Sequence, residues 1–184
     1  MANKFTYQVL RDTNTDAVIK ITGNFDGSGN EANGSRIQAN TLAGALDANS
    51  VPLHTALSVS NTALSYYDLQ LTGLKYYVNF PTSNVGGVEV YWNGGGANTA
   101  AQYANSATIF HLNLQGEFGL GEQLPAIYNN AVGGNGDIGI QTFGLVANCA
   151  YTLFVEIRKD NAYYQRGQFN DPAAFNYKPY GVTP

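Results

Sequence analysis

The residues able to do chemistry are few and widely spaced. NFDGSGNEANGSR (24–36) sets Asp26, Ser28, Asn30 and Glu31 among small residues, as a calcium loop would. An EF-hand needs oxygen ligands at positions 1, 3 and 5, glycine at 6 and an acid at 12. Counted from Asp26, position 6 is Glu31 and position 12 is Ile37, so the motif fails and only a non-motif pair, Asp26 and Glu31, survives. YWNGGG (91–96) lacks the Gly-Lys-Ser/Thr of a phosphate loop, and GGNGDIG (133–139) carries an acid where phosphate would sit. His54, His111 and Cys149 are too few and too scattered for the three or four ligands of a zinc centre. No G-x-S-x-G elbow occurs, and Cys149 opens an apolar strand, the setting of an inert thiol. Among the carboxylates, Glu117 and Glu122 flank glycines, and Glu89 and Glu156 occupy polar strand faces. A glycosidase pair has no fixed sequence spacing, so these four are the remaining acid–base candidates. The expectation is no enzyme, no cofactor and no metal.

The elements that must position these groups are strands. Phe5, Tyr7 and Val9 alternate with Thr6 and Gln8, and Ile19 and Ile21 alternate with Lys20 and Thr22. With Thr13-Asn14-Thr15-Asp16 between them, they predict a hairpin. Further alternating runs lie at 54–62, 67–73, 74–80, 88–92, 107–119, 136–145 and 149–159. In the last, Tyr151, Leu153, Val155 and Ile157 form one stripe. Leu42 and Leu46 are four apart, which predicts a short helix within 35–49. Residues 121–135 read as a long loop with a possible helical turn near Pro125.

About eight or nine short strands, each with one wet face, predict an all-β chain with antiparallel pairing. The expected fold is an antiparallel β-sandwich or jelly roll over residues 1–160, with a closed barrel as the alternative. Residues 161–184 form an extended C-terminal arm. It is broken by Pro172, Pro179 and Pro184, yet rich in Tyr163, Tyr164, Phe169, Phe175, Tyr177 and Tyr180. Those six aromatics are candidate anchors on a neighbouring subunit or on the arm's own domain.

Composition narrows the function classes. Only 12% of the 184 residues are charged, against about 25% in a typical soluble domain. The net charge is −4, and the nine Lys and Arg are scattered, which argues against a phosphate-backbone partner. No apolar run approaches the roughly 20 residues of a membrane helix. The N-terminus, MANKFTYQVLR, has no signal-peptide core, and a lone cysteine forms no internal disulfide, so synthesis in a reducing cytosol is expected. Two classes remain: a self-associating structural protein and a glycan-binding module. For the second, Tyr66, Tyr77, Tyr91 and Trp92 are candidate stacking platforms, with Tyr77 and Tyr91 placed outward by strand parity.

The opening MANKFTYQVLRDTNTDAVIKITGNFDGSGNE, the following RIQANTLAGAL and the closing EIRKDNAYYQRGQFNDPAAFNYKPY resemble small virion structural proteins of tailed phages, especially those infecting marine bacteria and cyanobacteria. The resemblance implies a β-sandwich assembled in the host cytoplasm and carried on the virion. Its first implied role is a capsid decoration (cement) protein on the capsid surface. Such a protein partners the major capsid protein and itself, often as a homotrimer. A tail, neck or fibre component is the second. The resemblance brings no catalytic residues.

Overall fold

The computed structural model describes residues 3–31, 34–53, 62–79, 86–95, 105–113, 115–118 and 126–165. Within them the chain is an antiparallel β-sandwich. The first hairpin forms as its alternation predicts: β1 (Lys4–Asp12) pairs with β2 (Asp16–Asn24). Thr13 closes the turn, its hydroxyl accepting from the amides of Thr15 (3.2 Å) and Asp16 (3.1 Å). The strands that follow are β3 (Gly34–Ile37), β4 (Leu69–Asn79), β5 (Gly87–Trp92), β6 (Ala107–Leu112), β7 (Gln115–Phe118), β8 (Ile127–Tyr128), β9 (Ile138–Phe143) and β10 (Ala150–Lys159). One sheet runs β1-β2-β10-β4-β7, with β8 also on β4; the other runs β3-β9-β5-β6. The core lies between them. Ile19, Ile21, Leu69, Leu71, Leu74, Leu153, Val155 and Ile157 come from the first sheet. Val88, Val90, Trp92, Leu112, Ile138 and Ile140 come from the second.

Three expectations about elements are corrected. The runs at 67–73 and 74–80 belong to a single strand, β4. Glu156 faces Gly73 while Ile157 faces Leu71, so Thr72 is the extra residue of a bulge. A bulge resets the two-residue alternation, which lets both Leu71 and Leu74 face the core. The run at 107–119 instead divides into β6 and β7, which lie in different sheets. Phe110 on β6 and Phe118 on β7 meet at 5.3 Å between ring centroids and join the two layers there. The helix expected within 35–49 is only one 3₁₀ turn, Ala39–Thr41, after β3. The backbone beyond it is taken by another segment: Leu46 N–H donates to the Tyr163 carbonyl and Gln165 N–H to the Gly44 carbonyl. The run at 54–62 lies outside the described residues except for Thr62.

Glycines inside strands have a shared purpose. Gly23, Gly116 and Gly139 stand directly across from Tyr151, Tyr76 and Tyr91. A Cβ on any of the three would come within 2.2–2.5 Å of the facing ring or its hydroxyl. Each tyrosine therefore lies flat over the backbone of its neighbour, covering a position with no side chain to pack. Gly139→Ala should cost about 1–3 kcal/mol by overpacking. In a Tyr91→Ala background the same change should be neutral or stabilising, because the ring is gone and alanine is the better strand residue. Urea unfolding of the four proteins in this cycle checks the change of sign.

Candidate functional site

The candidate metal loop is a docked connection between β2 and β3. Asp26 is half-buried, and its Oδ1 accepts from the Ser28 amide at 2.9 Å. Hydrogen bonds from Ser28 hold its carboxyl below the usual carboxylate range. Glu31 is buried, and its Oε2 accepts from the Tyr151 hydroxyl at 2.6 Å. Between them Asn30 accepts from the Leu145 amide at 2.9 Å. The loop is thus fastened to the β9–β10 connection and to β10 itself. Among the described residues, no three His, Cys, Asp or Glu side chains are grouped as metal ligands.

The acid–base candidates are dispersed. Glu89 is on the four-stranded sheet, whereas Glu117 and Glu156 are on the six-stranded one. Glu117 faces Lys75 across the β4–β7 ladder. Glu122 and His54 lie outside the described residues. Glu89 does gather a cluster: Thr108 Oγ1 and Gln141 Nε2 donate to its two oxygens, and His111 Nε2 stands 3.9 Å away. Its cross-strand neighbours are His111 and Gln141, so antiparallel register assembles the group. Cys149 is buried, its sulfur accepting from the Val146 amide at 3.4 Å.

The aromatic candidates separate by position. Tyr77 is 42% exposed on β4. Tyr91 and Trp92 are buried, which removes both as stacking platforms. Trp92 follows Val88 and Val90 on the inward stripe. Tyr91 has the outward parity expected, but its ring is laid over Gly139 instead of projecting. Tyr77 faces Thr152 and Gln115, and neither leaves a bare backbone for its ring to cover.

Two candidate arm anchors belong to the body. Tyr164 is fully buried, and its hydroxyl donates to the Ala39 carbonyl at 2.7 Å. Burial drives its pKa far above the ordinary tyrosine value. Tyr163 packs edge-on against Tyr66 at 5.4 Å. The packed body therefore reaches Gln165, five residues past the boundary read from the sequence. Phe169, Phe175, Tyr177 and Tyr180 lie outside the described residues.

One buried group was missed. Lys159 falls two residues after Ile157, on the parity of the core stripe, and its side chain is inaccessible to solvent. Its ammonium donates to Asp12 Oδ1 (2.5 Å), the Thr13 carbonyl (2.5 Å) and the Ala43 carbonyl (2.7 Å), using all three protons. The Tyr164 ring lies 5.2 Å away. Burial pulls the lysine pKa below its ordinary value, and the hydrogen bond and charge of Asp12 oppose that pull. Asp12 Oδ2 accepts in turn from the Ala43 amide at 2.9 Å. The first hairpin, the 39–45 segment and the end of β10 meet at this ammonium. The signal available in the sequence was a lysine at inward parity.

The chain also exposes an apolar strip. Tyr7 and Val9 pair with Ile21 and Ile19, so they point to the core side of the sheet. Yet they are 43% and 45% exposed on the edge strand of the sheet.

Lys159→Met should cost roughly 3–5 kcal/mol, since it leaves the Asp12 carboxylate half-buried without its cation. Adding Asp12→Asn should recover part of the loss, because the amide oxygen can still accept from Ala43 while the charge is gone. Denaturant midpoints of the single and double variants check both signs. Compared with protein-family models, curated proteins and solved structures, the chain finds no match.

Proposed function

We propose that the chain is a non-enzymatic virion structural protein: a capsid decoration (cement) protein that binds and stabilises the shell of major capsid subunits. The observation that carries this reading is the position of the β1 strip beside the start of the C-terminal segment. Gln165 is bonded to Gly44, and Gly44 abuts Asn14 in the β1–β2 turn. Gln165 therefore lies by the Asp12 end of β1. Fully extended, residues 166–184 span roughly 60 Å, while β1 is roughly 30 Å long. The segment is long enough to reach a neighbouring subunit's β1 strip, and it carries Phe169, Phe175, Tyr177 and Tyr180. Each such ring, fully buried, contributes roughly 1.5–3 kcal/mol before ordering costs. Repeated over a shell, exchanged arms become resistance to internal pressure.

The strand order supports the same reading at the level of architecture. The order β2-β10-β4-β7 against β3-β9-β5-β6 supports the jelly-roll form of the sandwich, with β1 as an addition at one edge and β8 as an addition between β7 and β9 in the chain. Jelly rolls recur in viral capsid and lectin domains. Fold does not fix function, so the weight rests on the edge strip and the arm. The resemblance of both termini to small tailed-phage virion proteins points the same way.

The test is a chain ending at Gln165, which keeps the buried Tyr163 and Tyr164. It should fold with an unchanged denaturant midpoint, yet co-sediment with cognate tailed-phage capsid shells at least about tenfold more weakly than the full chain. Tyr7→Ser with Val9→Ser should weaken retention similarly. Equal retention of the truncated and full chains would overturn the arm, and failure of the full chain to bind shells would overturn the decoration role.

A further inference from the structure

We infer that an open groove beside Tyr77 is a binding site for a neutral saccharide. The groove encloses about 550 Å³ and is lined by Tyr77, Val78, Asn79, Gln115, Ala150, Tyr151 and Thr152. That volume lies within the roughly 300–1,000 Å³ of small-molecule sites.

Register builds the groove. Gln115, Tyr77 and Thr152 are successive cross-strand neighbours on β7, β4 and β10, so their side chains leave the same face of the sheet in one row. Asn79 and Ala150 form the next pair at the sheet end. Tyr77 supplies a half-exposed aromatic face. Lys75 steadies it, with its ammonium 5.7 Å from the ring centroid. The hydrogen bond between them is also the largest influence holding the Lys75 pKa above its ordinary value. A ring already fixed in place loses little conformational entropy when a ligand stacks on it.

The chemistry of the lining selects the ligand. A pyranose has an apolar C–H face and a rim of hydroxyls. The Tyr77 ring suits the first. Asn79 and Gln115 are exposed, and each carries a carbonyl acceptor and an amide donor side by side, which suits neighbouring hydroxyls. Thr152 adds a hydroxyl. Among the described residues no lining side chain is charged at neutral pH, and Lys75, beside Tyr77, faces Glu117 across the ladder. That disfavours phosphorylated or sulfated sugars and favours neutral hexoses.

This inference does not rest on the capsid reading, because it is tested on the isolated full chain. The probe is a microarray of glucose-, galactose- and mannose-based neutral oligosaccharides, with calorimetry on the best binder. Tyr77→Ala should weaken that binding at least about tenfold. Tyr77→Phe should leave it within about twofold, since the ring is retained, and Gln115→Ala should give an intermediate loss. Both sites are on the surface, so circular dichroism should show the fold unchanged in all three variants. No binding to any neutral oligosaccharide at millimolar concentration, or equal binding by the wild type and Tyr77→Ala, would overturn the site. Loss on Tyr77→Phe equal to that on Tyr77→Ala would overturn the stacking role.

Discussion

Lys159 puts a positive charge at the end of a strand whose earlier inward residues are Tyr151, Leu153, Val155 and Ile157. A lone ammonium at that depth would be costly. It is tolerated because two separate stretches of chain bring three acceptors: Asp12 and Thr13 from the first hairpin and Ala43 from the segment after β3. A shift in any of them leaves a proton without an acceptor. The charge therefore adds little net stability relative to an apolar core, but it selects a single arrangement of these segments. The rest of that end of the molecule follows. With Ala43 fixed, Gly44 and Leu46 meet the returning backbone of Tyr163 and Gln165, and Tyr164 drops into the core against Tyr67 at 5.5 Å. The position of Gln165 is set by this arrangement.

Much of the fold was legible because strand alternation is a local signal. The first hairpin and the stripe of β10 follow directly from it. The sandwich follows from having many strands with one dry face. What failed was every feature that a neighbouring strand decides. The bulge at Thr72 turns two apparent strands into one, and nothing in LQLTGLKYYV marks it except a change of phase at Gly73. Tyr91 has outward parity and is nevertheless covered, because its partner across the ladder is glycine. Tyr77 has the same parity and stays exposed, because its partners are Gln115 and Thr152. The link between Glu31 and Tyr151 spans 120 residues and has no local trace. Lys159 is the exception: counting by twos from Ile157 was enough to find it.

The surface sorts into regions with different characters. The exposed strip of β1 is apolar and its strand ends near Gln165, which suits the proposed attachment to another subunit. The groove at Tyr77 lies at the other end of the same sheet, since Tyr77 and Thr152 stand near Asn24 and Thr22 in the register while Arg158 and Asp16 mark the Lys159 end. Tyr77 points away from the core, whereas Tyr7 and Val9 are on the core side of the sheet. The two proposed contacts therefore use opposite faces of that sheet.

Cryo-electron microscopy of tailed-phage particles that carry the chain tests this account most directly. The predicted map has the two-sheet body on the outer surface of the shell, the β1 strip against a neighbouring subunit, and the Tyr77 groove facing solvent. A map with the body in the tail or neck, or on the shell with the β1 strip bare and residues 166–184 touching no neighbour, would contradict it.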